Sequence, residues 1–261
     1  MRKRVKKNRD HLKINKKKRR RNTIIKKKMS KTKTSSSSST SEECEDGHYL
    51  DNKGFRFETL QALNDVYEMI SGPAQIDEDG FPLIEEDWEL SQFWYDKPTG
   101  DRVIEYIKDY VNSIENCKVG CLSTPSLYRV YLRNKEKVPN AEFVLFEYDT
   151  RFQMQGINFE FYDYNKPLMI KEKHEKQFHL LLCDPPFLSD ECSEKVAKSI
   201  QFLRNEEHFV LIYLTGELAE PYITKYHPSI KLTDIQINHE RNLENSFGLF
   251  STEHPLKSIS N

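Results

Sequence analysis

The stretch Gln177-Phe-His-Leu-Leu-Leu-Cys-Asp-Pro-Pro-Phe187 decides the fold. Its first seven residues form a short, nearly continuous apolar run, which predicts a strand of a parallel sheet covered on both faces. At Asp184 the pattern stops, because Pro185 and Pro186 each lock φ and withhold an N–H, so the strand cannot continue. From Ser189 the chain turns helical. Ser189 is a suitable N-cap, Asp190 and Glu191 suit the positive end of the helix, and Val196, Ile200 and Leu203 recur at helical spacing. The unit is strand, rigid turn, helix, and in open α/β sheets ligands sit beyond the carboxyl ends of such strands.

The turn presents one carboxylate, backbone carbonyls that no ladder can recruit, and an aromatic face. Those groups suit an amine. Asp184-Pro185-Pro186-Phe187 resembles the [Asn/Asp]-Pro-Pro-[aromatic] signature of amino-methyltransferases, in which the acid and a proline carbonyl hold the target nitrogen. From the tetrapeptide alone, a Pro-Pro turn that merely ends a core strand is the competing reading.

The chain has 261 residues, 37% of them hydrophobic, enough for one globular domain of roughly 200 residues beside a tail. The net charge of −1 conceals an asymmetry. Residues 1–34 carry 18 of the 40 Lys/Arg and a single acid, Asp10, so this tail is +17 and the remainder −18. An acidic body argues against a nucleic-acid footprint on the folded part and favours a cationic partner. The basic tail reads as a nuclear-localisation or RNA-contacting arm, or as a solvated disordered segment, and Met29 offers a second start for translation. With the serine run Ser35 to Ser39 and the acids after it, a disordered tail over residues 1–50 is expected, followed by a catalytic domain over 55–255. Cys44, Cys117, Cys121, Cys183 and Cys192 are odd in number and lack metal-ligand spacing, so neither a disulfide framework nor a metal site is expected. No apolar run reaches the ~18 residues that span a bilayer. The expectation is a monomer in a reducing compartment, the cytoplasm, with the nucleus open to it through the tail.

Along the chain, Leu60, Leu63, Val66, Tyr67 and Ile70 predict a packing helix from Glu58 to Ile70. The dense aromatics of Trp88 to Tyr95 line a pocket or fill a core; Trp94 or Tyr95 is the candidate for facing a planar or cationic ligand. Asp101 to Ile114 is amphipathic. A strand, Lys118 to Leu122, leads into Ser123-Thr124-Pro125-Ser126, a cap with Pro125 at the first helical position, where anionic groups bind helix N-termini. The G-x-G-x-x-G glycines are absent there. Phe143 to Phe146 is the second strand and ends in Glu147-Tyr148-Asp149, where an acid holds ribose hydroxyls in dinucleotide-binding sheets. Asn158 to Tyr162 is the third, followed by Asp163-Tyr164, placed either to meet an adenine or to close a turn. Phe209 to Leu214 is a strand, Thr215-Gly216 a turn, and Glu217 to Tyr226 a helix that Pro221 shortens. Ile230 to Asn238 and Phe247 to Ser251 complete the sheet as a hairpin edge.

Six blocks carry a more specific resemblance: Glu89 to Tyr95, Leu122 to Tyr128, Phe146 to Phe152, Phe161 to Asn165, Asp184 to Ser189 and Arg241 to Phe247. In order and spacing they resemble the elongation factor 1-alpha lysine methyltransferases, once described as N6-adenine-specific DNA methyltransferases, over about residues 55 to 252. That family also uses a Ser-x-Pro-Ser turn in place of the glycines. The resemblance implies a Rossmann-like, seven-stranded class I methyltransferase sheet with a C-terminal hairpin edge and an N-terminal helical segment. It implies S-adenosylmethionine as cofactor, held by Trp94, Ser123, Thr124, Pro125, Ser126, Glu147, Tyr148, Asp149, Asp163 and Tyr164. Asp184, Pro185, Pro186 and Phe187 would be catalytic, and Phe93, Tyr95 and Asn245 would meet the substrate, a lysine of the elongation factor. An adenine methyltransferase acting on RNA or DNA, and a non-catalytic scaffold, are the competing functions.

Overall fold

The computed structural model describes residues 83–153, 157–241, 243 and 245–259. The tail over 1–50 and the helix expected at Glu58 to Ile70 lie outside the described residues. Helix α1 spans Lys97–Asn112, starting four residues before the expected Asp101. The reason is local: the Asp96 carboxylate accepts from Thr99 N at 2.8 Å, and Pro98 falls in the first turn, where a missing N–H costs nothing. Gly100 is where α1 meets the next helix; a Cβ there would lie 2.5 Å from Val130 Cγ2.

Strand β1 (Cys117–Leu122) leads to α2 (Pro125–Arg133), then β2 (Ala141–Glu147), β3 (Phe159–Phe161) and β4 (Leu180–Cys183). Helix α3 (Asp190–Leu203), β5 (Val210–Gly216), α4 (Glu220–Tyr226), β6 (Lys231–Gln236) and β7 (Phe247–Ser251) follow. The strands form one sheet in the order β3-β2-β1-β4-β5-β7-β6. β1 to β5 are parallel, while β7 is antiparallel to both its neighbours. All four residues of β4 are buried, as a strand covered on both faces requires. On one face Val103, Ile107 and Val111 of α1 and Leu127 of α2 pack on Val119, Leu182 and Ile212. On the other, Val196 and Ile200 of α3 and Ile223 of α4 pack on Val144, Leu181 and Leu211.

Two local expectations change. Thr215-Gly216 is strand rather than turn, because β7 pairs along β5 as far as Gly216↔Phe247. Thr124 takes the cap position of α2 but makes no side-chain cap hydrogen bond. Ser189 does cap α3, accepting from Cys192 N, and Pro221 does shorten α4, which begins after a 3-10 turn at Glu217–Ala219. The sheet order reverses between β1 and β4, whose ends are level at Leu122↔Cys183, so Ser123 and Asp184 emerge side by side at the carboxyl edge.

Candidate active site

Asp184 follows β4 and its N–H still donates to Leu122 O at 3.1 Å, which fixes its backbone against β1. Its carboxylate Oδ2 accepts from the Tyr95 hydroxyl at 2.6 Å. Tyr95 is itself tied down: its N–H donates to Ser126 Oγ at 2.9 Å, it bridges to His239, and its ring lies 4.8 Å from the His239 ring. Burial pushes the Asp184 carboxyl up to about 7; the Tyr95 hydrogen bond opposes that rise and the nearby Glu147 adds to it. The Tyr95 phenol is held well above its ordinary range, by burial first and then by the facing carboxylate, so it remains a donor.

At the end of β2, Glu147 is buried, and its Oε1 accepts from Tyr148 N at 2.9 Å and Asp149 N at 3.0 Å. Burial raises its carboxyl to about 7 against those bonds. Asp149, by contrast, is saturated. It accepts from Arg151 Nε at 2.9 and 2.8 Å, from Arg151 Nη2 at 2.5 Å and from Gln92 Nε2 at 3.0 Å. At the end of β1, Ser123 adopts φ 54°, and Thr124 Oγ1 is buried with no hydrogen-bond partner among the described residues. An unpartnered buried hydroxyl is costly unless something else fills its bond.

The remaining expected residues divide. Asp163 is buried and accepts from Asn165 N at 2.9 Å, while the Tyr164 ring stands 5.8 Å from that of Phe187. Phe187 is 49% exposed, so it lies at the mouth rather than enclosing the site. Trp94 is buried against Phe152, with Arg129 5.8 Å from its ring, and Phe93 packs edge-on to Trp88 and His239. Tyr148 is half exposed beside Phe161. Asn245 lines a separate groove with Glu217 and Phe247. Gln92, Arg151 and His239 are neighbours that sequence reasoning assigned no role; Gln92 and Arg151 were visible only as members of the quoted blocks. Cys183 is buried at the end of β4 and packs.

Among the described residues no helix is long and apolar enough to cross a membrane. The sheet order, with an acid-Pro-Pro-Phe turn at its switch point and buried polar groups at the ends of β1 and β2, defines a Rossmann-like methyltransferase that uses S-adenosylmethionine. The residues present fit that cofactor, since Thr124 Oγ1 at a helix N-terminus has no partner among the described residues and Glu147 offers an acid at the end of β2. Residues 86–255 match the family described as Probable N6-adenine methyltransferase. The chain is 40% identical to a protein-lysine N-methyltransferase of Dictyostelium discoideum, over 76% of this chain and 89% of that one. It is 34% identical to mouse EEF1A lysine methyltransferase 1, over 74% and 88%, and 33% identical to the human protein of that name, over 72% and 86%. The chain belongs to this family of protein-lysine N-methyltransferases.

Proposed function

We propose that the chain methylates a lysine of translation elongation factor 1-alpha. The substrate reading is supported by relatives named EEF1A lysine methyltransferase 1, and the chemistry by one observation: Asp184 stands at the switch point with its carboxylate fixed by Tyr95. S-adenosylmethionine, when bound, supplies an electrophilic methyl group. The Ser123 to Ser126 turn, with Thr124 Oγ1, would hold its amino-acid part, Glu147 its ribose hydroxyls, and Asp163 with Tyr164 its adenine. Trp94 would support that pocket from beneath. Tyr148, half exposed, would shield one side.

Asp184 and the Pro185 carbonyl would orient the lysine nitrogen. Tyr95 occupies Asp184 Oδ2, which leaves Oδ1 for the amine and fixes its direction. The burial that raises its carboxyl to about 7 also disfavours an ammonium opposite it, so Asp184 orients the nitrogen rather than acting as a strong base. Phe187 at the mouth and Phe93 beside Tyr95 would flank the aliphatic stem.

Incubation with labelled cofactor and separate pools of elongation factor, total RNA and DNA tests the assignment. Label on a lysine of the factor is the expected result. Label confined to nucleic acid would establish the adenine reading, and no cofactor binding at millimolar concentration would establish the scaffold.

A further inference from the structure

Beside the site lies a groove of about 550 Å³ along the β6–β7 hairpin. At Gly248 the Leu232 side chain closes over the backbone, since a Cβ there would lie 2.4 Å from Leu232 Cδ1 and 3.5 Å from Glu217 Cγ. Among the described residues that line it, Glu217 and Asp234 are acidic and none is lysine or arginine. Asp234 faces the His254 ring at 3.2 Å, whereas Glu217, exposed, has no ion-pair partner among the described residues. His239, on the rim, is kept neutral by burial, which pushes its imidazole down to about 4.

The groove adjoins the reacting centre on two sides. Leu188, one residue past the acid-Pro-Pro-Phe turn, packs over Gly216, where a Cβ would lie 2.8 Å from Leu188 Cδ1, and Gly216 directly precedes Glu217. His239 lies against Tyr95, whose hydroxyl holds Asp184. Leu188 and Tyr95 thus tie the turn that carries Asp184 to the Glu217 end and the His239 end of the groove.

We propose that this groove docks the segment of the protein substrate that flanks the target lysine, an extended stretch with a further lysine or arginine set against Glu217. The proposal rests on the protein-lysine reading above. It fits the charge of the molecule, since residues 35–261 sum to −18 and a cationic substrate gains from an acidic path. Glu217 is suited to the test because among the described residues its carboxylate makes no hydrogen bond or ion pair, while its N–H donates to Ser246 O at 2.9 Å.

The experiment compares Glu217→Gln and Glu217→Lys with wild type and with Glu136→Lys, an equal charge change outside the groove, in steady-state kinetics on the elongation factor. Removing one exposed charge is expected to raise KM for the protein about threefold and reversing it about tenfold, with kcat and the cofactor KM within about twofold of wild type. Added salt should shrink these differences. Glu217→Lys with the same protein KM as Glu136→Lys would overturn the groove while leaving the lysine reading intact. A wild type that labels nucleic acid and no protein would overturn both.

Discussion

A lysine ammonium titrates near 10.4, and only its neutral form has the lone pair that attacks a methyl group. A carboxylate opposite it favours the charged form, which helps capture and opposes deprotonation. Asp184 reconciles the two demands through its surroundings: burial lifts its carboxyl to about 7, and Tyr95 fixes one oxygen at 2.6 Å. Asp184→Asn keeps an acceptor for Tyr95 and for the amine, whereas Asp184→Ala removes both and strands a buried phenol. Alanine is therefore expected to cost more in kcat than asparagine, on the order of the 10²–10³ lost with one positioned polar group, while cofactor affinity changes little. Equal turnover of Asp184→Ala and wild type would remove the turn from the mechanism. Tyr95→Phe reports on the same carboxyl by another route. The donated hydrogen bond lowers the Asp184 pKa, so its loss should move the acid limb of the kcat/KM profile to higher pH; an unshifted limb would mean that Asp184 does not govern that limb.

The segment Gln92 to Tyr95 is bound to the body by its neighbours rather than by regular structure. Gln92 and Arg151 converge on Asp149, Trp94 N donates to Glu86 Oε1 at 3.1 Å, and Glu240 N donates to Trp94 O at 2.8 Å. Arg151→Ala would leave the buried Asp149 carboxylate with Gln92 as its main side-chain donor and slacken the link between this segment and the end of β2. A loss of about 1–3 kcal/mol of stability and weaker cofactor binding are expected, measurable by urea titration and calorimetry. Unchanged affinity would make the network purely structural. The elements themselves were largely legible, because apolar runs, caps and prolines are local signals. Ser189, Pro125 and Pro221 act where their chemistry predicts. The start of α1 was misplaced because the amphipathic pattern sets in only at Asp101, whereas the helix opens at the Asp96 cap with Pro98 in its first turn. The end of β5 was misplaced because its partner β7 lies 31 residues further on, at Gly216↔Phe247. At the site, Asp184 was visible as a motif, but its hydrogen bond to Tyr95 spans 89 residues and only the fold reveals it. Asp149 read as a ribose ligand from its place at the end of a strand, and no local pattern announces that Arg151 and Gln92 saturate it.

Among the described residues the ionisable groups form opposing sets that decide how stability varies with pH. Asp184 and Glu147 hold their protons up to about pH 7 in the fold, against ordinary values of 3.8 and 4.5, so between those limits the native state binds more protons than the unfolded one. Stability from these two acids therefore falls as pH rises from about 4 to 7. His227 and His239, pushed down to about 4 by burial, bind fewer protons in the native state between 4 and 6.5, and their contribution rises with pH over that window. Glu160 is held down to about 2: burial works against it, but His174, Lys171 and Lys173 prevail, and what it contributes is lost only as pH falls from 4.5 toward 2. The acids and histidines offset one another up to about 6.5, and at pH 8 the two acids stand at their full cost. Asp184→Asn removes one cost without removing the Tyr95 bond. Because the wild-type carboxyl is partly open to solvent, the full linkage value of about 4 kcal/mol is an upper limit, and a gain of about 1–3 kcal/mol at pH 8 is expected. At pH 4 wild-type Asp184 is already protonated in the fold and about half protonated in the unfolded chain, so the gain should nearly vanish. Urea melts of both proteins at the two pH values measure it. A gain that is equal at pH 4 and pH 8, or a loss at pH 8, would show that Asp184 is not the strained carboxyl its surroundings make it.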